Sequence, residues 1–264
     1  MLWEKLGHVF VADNHSHWMK SHAAWPRPLH LRGNLFRIFF SVRDVNNFSS
    51  VAFVDIDIKM PTEVLEISKY PVLSPGAPGV FDENGVIPSC IVKIGEKTCM
   101  YYSGVSVLNS NSFECFCGLS FLDSNFKLSS RYTDEPILKK NSQDPHSTGL
   151  AFVLKDCSYE KFHMWYESGS YGKKLNNKET RTFTIKYATS LDGINWERKN
   201  TCFSPANEYS DEYLSSPSVI YERGIFKMWY SFKNNGKYSI GYAESIDGIA
   251  WERMGESRCL GRNP

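Results

Sequence analysis

Short segments of alternating apolar and polar residues follow one another along the whole chain. They are rich in aromatic and β-branched residues, as in FRIFFSVRD (36–44) and FHMWYESG (162–169). Clusters of Gly, Asn, Asp and Ser separate one segment from the next. An apolar period of two that is bounded by turn residues is typical of β-strands. The pattern therefore predicts an all-β protein.

The predicted strands recur as a module of fixed order. A proline-led segment, an aromatic segment and a third strand follow one another four times, and the last two modules add a fourth strand, NWERKN or AWERMG. The leading prolines are 62, 57 and 72 residues apart, at Pro26, Pro88, Pro145 and Pro217. Four-stranded antiparallel units at such a spacing are typical of a β-propeller.

We therefore predict a single β-propeller domain over 1–264. Its four visible blades cover about 24–80, 81–140, 141–203 and 204–256. The opening LWEKLG resembles the fourth-strand segments, so residues 1–12 are expected to supply the closing strand of a fifth blade. That blade is incomplete in this sequence, which favours a truncated five-bladed propeller, while a makeshift cap formed by the carboxy-terminal tail is the alternative.

The turn S-x-D-G-x-x-W occurs in ATSLDGINWERKN and again in AESIDGIAWERMG. Asp192 and Asp247 are expected to accept backbone hydrogen bonds within these turns, and Gly193 and Gly248 to supply a positive φ. These Asp-Gly pairs are thus interpreted as structural.

Composition and charge argue against several classes of partner and location. The chain of 264 residues has a formal net charge of +1 and no arginine-rich run, which argues against nucleic acid as a partner. Its apolar runs are too short to span a membrane, and no signal-peptide pattern opens the sequence. Seven cysteines without metal-ligand spacing are expected to be reduced and packed, so we predict a cytoplasmic protein.

The proline-led strands, the MWY segments and the A-x-S-x-D-G-x-x-W turns resemble the five-bladed β-propeller glycosidase superfamily, which includes arabinanases, levansucrases, invertases and mannoside phosphorylases. RIFFSVRD, SSVAFVDID and GVFDENGVIPS are similar to uncharacterised propellers of bacterial surface-polysaccharide gene clusters. The resemblance implies a base aspartate, a pKa-modulating aspartate and an acid glutamate at one mouth. Asp144 matches the modulator and Glu212 the acid, whereas Trp25 stands where the base is expected before Pro26.

Strand direction also brings polar residues together. Residues before each first strand and after each second strand of a module lie at the same end of the sheet. There we expect three catalytic carboxylates, with Asp44 as the base and Asp82 or Glu167 in reserve. The expected substrate contacts are Arg27, Arg43, Trp25, His22, Asp82, Glu83, Asn84, His146, Glu167 and Phe232.

The expected ligand is a carbohydrate, a sugar phosphate or a sugar nucleotide, and the leading function is glycosidic bond cleavage on a bacterial polysaccharide or its precursor. Arginine forks bind oxyanions, so the arginines of the first module favour phosphorylase-like transfer as an alternative. Arg37 alternates with apolar residues and is expected to point outward. A non-catalytic sugar-binding propeller is the second alternative. No metal or cofactor is expected, and an oligomer is compatible with the sequence.

Overall fold

The computed structural model describes residues 4, 6–109, 112–156, 160–175, 178–205, 213–234 and 236–254. Their regular structure consists of antiparallel β-strands with two short parallel contacts, which confirms the all-β prediction. Within these ranges no helix has the length and apolar character needed to cross a lipid bilayer. Two compact units are present, one within Glu4–Ile137 (the amino-terminal unit) and one within Leu138–Pro264 (the carboxy-terminal unit).

The amino-terminal unit consists of two four-stranded antiparallel sheets. The strands of the first are β1 (Ser21–Arg32), β2 (Leu35–Arg43), β3 (Ser49–Asp57) and β4 (Val64–Ile67). Those of the second are β5 (Gly85–Ile94), β6 (Lys97–Asn109), β7 (Ser112–Leu122) and β8 (Leu128–Arg131). Within each sheet every strand pairs with the next in sequence, and β3 meets β5 in parallel at one residue pair, Ser49 and Gly85.

The carboxy-terminal unit repeats this arrangement. Its first sheet contains β9 (Ser147–Asp156), β10 (Lys161–Leu175), β11 (Lys178–Ser190) and β12 (Glu197–Phe203). Its second contains β13 (Tyr213–Glu222), β14 (Ile225–Asn234), β15 (Lys237–Ser245) and β16 (Glu252–Arg253). The parallel contact between the sheets joins Phe183 and Tyr213. Each sheet thus has the four-stranded form of the predicted module.

Apolar side chains fill the space within each unit. In the amino-terminal unit one cluster contains Phe39, Val86 and Tyr102, and another contains Trp18 and Phe40. In the carboxy-terminal unit the side chains of Trp165, Tyr187, Met228 and Tyr230 pack together with their apolar neighbours. The aromatic segments recognised in the sequence form β2, β6, β10 and β14, so their repetition reflects the repeated packing of the second strand of each sheet.

The Asp-Gly turns have the predicted structural role. Asp192 Oδ1 accepts hydrogen bonds from the backbone nitrogens of residues 194 and 195, and Asp247 Oδ1 accepts them from those of residues 249 and 250, all at 2.8 Å. Gly193 and Gly248 have φ values of 70° and 73°. These contacts confirm the structural interpretation of both turns.

Other parts of the sequence-based picture stay predictions. Residues 1–3 and 5 of the expected closing strand lie outside the described residues, so the fifth blade remains a prediction. The blade boundaries likewise remain predictions. The five cysteines that the structure describes form no disulfide, and four of them are buried, as expected for packed thiols.

Candidate functional site

In the amino-terminal unit, strand register aligns one end of both sheets. Ser21 pairs with Arg43, Arg43 with Ser49, Ser49 with Gly85, and Gly85 with Val105. The predicted site residues His22, Arg43, Asp44, Asp82, Glu83 and Asn84 lie on this row or within three residues of it in sequence. The register thus gathers the ends of these strands at a single edge.

In the carboxy-terminal unit an equivalent row crosses both sheets. Ser147 pairs with Gly169, Gly169 with Phe183, Phe183 with Tyr213, and Tyr213 with Lys233. The predicted residues His146, Asp144, Glu167 and Phe232 flank this row in sequence.

Asp144 is fully buried and bound by two cations. Its carboxylate lies 3.0 Å from Lys186 Nζ and 2.7 Å from Arg198 Nη1, and it accepts hydrogen bonds from Ser168 Oγ at 2.5 Å and Tyr166 OH at 3.1 Å. Burial alone raises the pKa of Asp144, but the hydrogen bonds and positive charges outweigh it and hold that pKa below its usual value. Asp144 is therefore an ionised carboxylate whose contacts lie within its own sheet.

Asp82 has a similar but less complete environment in the amino-terminal unit, with one cation instead of two and with its Oδ1 lacking a hydrogen-bond partner among the described residues. It accepts hydrogen bonds from Tyr102 OH at 3.1 Å and from Arg131 Nε at 3.0 Å, and it is buried. In both units the tyrosine comes from the second strand and the arginine from the fourth. Each of the two aspartates thus joins strands of its own sheet. The predicted roles of Asp82 in binding and of Asp144 in catalysis stay predictions.

Sequence reasoning missed the partners in these ion pairs. Arg198 belongs to the WERKN segment, which was recognised only as a fourth strand, and Arg253 of WERMG likewise donates to Tyr230 OH at 3.2 Å. The repeated Arg in these segments, together with the Tyr of each aromatic strand, was the available signal. An arginine at an equivalent place in three sheets indicates a structural requirement of the module.

Glu167 differs from these paired carboxylates. It is fully buried, and burial raises its pKa to about 7, although hydrogen bonds from the hydroxyl groups of Ser215 and Tyr213 act in the opposite direction. Its Oε2 is buried and has no hydrogen-bond partner among the described residues. Near neutral pH the side chain is therefore divided between the protonated and the ionised form.

The side chain of Glu167 lies on one face of β10, and Asp144 contacts the opposite face of that strand. Side chains alternate along a strand, and Tyr166 and Ser168, which bind Asp144, flank Glu167 in sequence. The face of Glu167 carries Gly169, where an added Cβ would lie 2.3 Å from Ser147 Oγ. An added methyl group at this glycine would require the Ser147 hydroxyl to move and would also lie 3.0 Å from the Phe183 ring, so the position beside Glu167 is crowded by side chains.

His146 and Phe232 occupy packed positions. The backbone nitrogen of His146 donates to Gly169 O at 3.3 Å, and its ring lies 6.4 Å from that of Phe183. Phe232 is half-buried and packs against the apolar cluster near Tyr230, with 6.0 Å between ring centroids. Their predicted contacts with substrate stay predictions.

The loop residues of the amino-terminal unit make local hydrogen bonds. Asp44 Oδ1 accepts from the backbone nitrogens of Asn46 at 2.8 Å and Phe48 at 2.9 Å, which is the geometry of a turn brace. Glu83 Oε2 accepts from Gly79 N, and Asn84 Oδ1 accepts from the backbone nitrogen of residue 107, both at 2.7 Å. The roles of Asp44 as a base and of Glu83 and Asn84 as substrate contacts stay predictions.

Arg27 lies in an irregular part of β1. His22 and Trp25 have positive φ values of 63° and 54°, and the pairing with β2 shifts between Ser21 and Ala24 and again between Ala24 and Arg27. Such bulges change the direction of the following side chains. His22 is exposed and Trp25 is half-buried, whereas the guanidinium of Arg27 is buried.

The prediction that Arg37 points outward is wrong. Its guanidinium is buried, forms a two-point ion pair with Asp55 (Nε–Oδ1 2.7 Å, Nη2–Oδ2 2.8 Å), and lies 3.6 Å from the centre of the Phe53 ring. The alternation of β2 predicts an outward-facing polar side chain, but Asp55 lies opposite Arg37 on β3 and neutralises its charge. The proposed acid Glu212, in contrast, lies outside the described residues.

Comparison with known proteins supports the fold and gives a family. No family model matches the chain. The uncharacterized protein Rv1502 of Mycobacterium tuberculosis H37Rv is 30% identical over 265 residues, which cover 100% of this chain and 86% of that protein.

Solved structures agree on the fold. The structure of one glycoside hydrolase superposes with a TM-score of 0.71 at 17% identity, over 90% of this chain and 74% of that one. The sucrose-6-phosphate hydrolase of Lactobacillus gasseri gives 0.69 at 11% identity, with 93% of this chain and 49% of that one covered. The chain thus has the β-propeller fold of glycoside hydrolases, and it belongs to the same family as Rv1502.

Proposed function

We propose that the protein cleaves glycosidic bonds and that Glu167 donates the proton to the leaving oxygen. The observation that carries this proposal is a buried carboxyl group whose pKa is raised to about 7 and whose Oε2 has no hydrogen-bond partner among the described residues. A general acid is most effective when its pKa lies near the working pH. The likeness to glycoside hydrolases supports the same reaction class by analogy of fold.

The step requires a neutral acid beside the bond. The proton of Glu167 passes to the glycosidic oxygen as the bond between the anomeric carbon and that oxygen breaks, and Glu167 becomes a carboxylate. An acceptor, water or phosphate, then adds to the anomeric carbon. When water is the acceptor, a second carboxylate must act as the base, and Asp44 remains the residue predicted for that role. Ser215 and Tyr213 stabilise the ionised form of Glu167 after the transfer.

The substrate of this proposal is a bacterial polysaccharide or a sugar precursor of one. Turnover is tested with a panel of aryl α- and β-glycosides, with and without added phosphate, using Glu167→Gln, Glu212→Gln and the exposed control Glu197→Gln. For those glycosides of the panel whose leaving group must be protonated, we expect Glu167→Gln to lower kcat by about 10²- to 10⁴-fold. Unchanged turnover of these poorly leaving glycosides in folded Glu167→Gln, with their turnover abolished in Glu212→Gln, contradicts our assignment and favours the acid expected from the sequence.

A non-catalytic sugar-binding protein is the competing function. It predicts no turnover of any glycoside in the panel together with measurable binding of oligosaccharides. Glu167→Gln then leaves the affinity for a neutral sugar unchanged or higher, because the amide keeps the shape of the carboxyl group and removes its ionisation.

A further inference from the structure

Arg27 is a buried cation for which the described residues supply no matching anion. Its side chain is 8% exposed, and Nε and Nη2 make no hydrogen bond with any described residue. Burial lowers the pKa of Arg27 to about 10, while the nearby Cys90 has the opposite effect, so the guanidinium is still protonated at neutral pH. An uncompensated buried charge carries a large free-energy cost, and native proteins rarely retain one without a partner.

The surroundings of Arg27 are apolar on the face it occupies. In the pairing of β1 with β2 it lies opposite Phe39, which is completely buried in the core of this unit. Leu29, two residues along the same face, packs against the same cluster. The neighbours that the strand register gives Arg27 are therefore apolar side chains that cannot balance its charge.

The acidic groups that could balance it are already engaged. The described residues of the amino-terminal unit bury two carboxylates, Asp55 and Asp82. Asp55 forms its two-point pair with Arg37, Asp82 Oδ2 is bound by Arg131, and neither carboxylate contributes to the pKa of Arg27. The other buried arginine of this unit, Arg37, thus has its own aspartate, whereas no described carboxylate is paired with Arg27.

Backbone strain accompanies this unmatched charge. Trp25, two residues before Arg27, has a φ of 54°, a conformation that is unusual for a bulky side chain. Strain of this kind persists where the surrounding structure holds a residue in a required position, and it is often found at ligand sites. The irregular start of β1 and the unpaired guanidinium are thus two independent features of one segment.

We propose that Arg27 binds an oxyanion, a phosphate or carboxylate group, that belongs to the substrate or co-substrate of this protein. A planar guanidinium forms two parallel hydrogen bonds with either group, as Arg37 does with Asp55. Three ligands supply this chemistry: inorganic phosphate, a phosphorylated sugar and an acidic sugar. The proposal rests on glycosidic bond cleavage for its biological meaning, but oxyanion binding is measured independently of turnover.

The test measures thermal unfolding and calorimetric binding with inorganic phosphate, a hexose 6-phosphate and a hexuronate, each against sodium chloride of equal ionic strength. At a ligand concentration about 100 times Kd we expect a rise in Tm of about 5 to 10 °C. The variants are Arg27→Met, Arg27→Lys and the control Arg32→Met, whose exposed side chain comes from the same strand.

Arg27→Met should abolish the rise in Tm, Arg27→Lys should reduce it, and Arg32→Met should respond as the wild type does. Without any ligand, Arg27→Met should melt above the wild type, because the substitution removes the unmatched charge. The oxyanion that gives the largest shift identifies the source of the group.

Two results overturn the proposal. One is that none of the three oxyanions shifts the Tm of the wild type beyond the chloride control, and the other is that Arg27→Met responds as the wild type does. If the protein hydrolyses neutral aryl glycosides but no oxyanion shifts its Tm, this inference is wrong and the proposed function stands. If an oxyanion binds but no glycoside is turned over, the proposed function is wrong and this inference stands.

Discussion

Replacing Glu167 by Gln should stabilise the protein in a pH-dependent way. The folded protein holds the pKa of Glu167 at about 7, against a usual value of 4.5. The folded state therefore binds this proton more tightly than the unfolded state does. Between these two pH values the unfolded chain carries fewer protons, so stability falls as pH rises.

The magnitude follows from the shift. Each pKa unit corresponds to about 1.4 kcal/mol, so ionising Glu167 costs about 3 kcal/mol of stability once pH exceeds 7. Below pH 4.5 both states are protonated and the cost disappears. Glutamine has nearly the same shape and no charge, so Glu167→Gln should match the wild type at low pH and exceed it by about 3 kcal/mol at high pH.

The assay is urea unfolding of the wild type, Glu167→Gln and Glu197→Gln at a series of pH values. Glu197 is exposed and paired with Lys199, and exposed pairs contribute little, so its substitution should leave the pH profile nearly unchanged. Near pH 8 the gain of about 3 kcal/mol corresponds to a rise in Tm of about 6 to 12 °C. Equal stability of wild type and Glu167→Gln at high pH would refute the buried, proton-binding Glu167 on which the catalytic proposal depends.

Three further substitutions test other parts of the structure. Asp144→Asn should destabilise the protein by about 3 to 5 kcal/mol in urea unfolding, because it leaves the charge of Arg198 without its buried partner; a loss below about 1 kcal/mol contradicts the ion-pair assignment. Arg223→Asn should raise Tm by about 1 to 4 °C, since Arg223 and Gly224 form a two-residue hairpin with φ values of 53° and 82°, for which Asn-Gly is preferred. No gain there argues against that turn type. Gly169→Ala should lower Tm and catalytic turnover together, because its Cβ would lie 2.3 Å from Ser147 Oγ and 3.0 Å from the Phe183 ring; normal values for both show that these side chains move aside at no cost.

The fold was predictable because its signal is repeated. The aromatic second strands, which contain Tyr102, Tyr166 and Tyr230, occur at the same place in three sheets, and the Asp-Gly turns occur twice in nearly identical form. Repetition allows weak strand patterns to support one another. The short strands β4 and β8 escaped because their four-residue segments lack the tryptophan that marks the later outer strands.

The candidate site was only partly predictable. Strand direction was sufficient to bring the ends of neighbouring strands together, because antiparallel order fixes which ends meet. Strand direction could not show that two cations neutralise Asp144 while none neutralises Glu167. That difference arises because the two carboxyl groups lie on opposite faces of β10. The buried charge of Arg27 was likewise hidden, since a bulge shifts the alternation on which sequence patterns rely.

The most direct test of the central claim is the dependence of kcat on the leaving group in Glu167→Gln. The account predicts a loss of about 10²- to 10⁴-fold for glycosides whose leaving group must be protonated. For dinitrophenyl glycosides, whose leaving group departs as a stable anion, turnover should stay close to that of the wild type. Equal losses for both kinds of substrate, or no loss for either, would contradict the assignment of Glu167 as the acid that breaks the glycosidic bond.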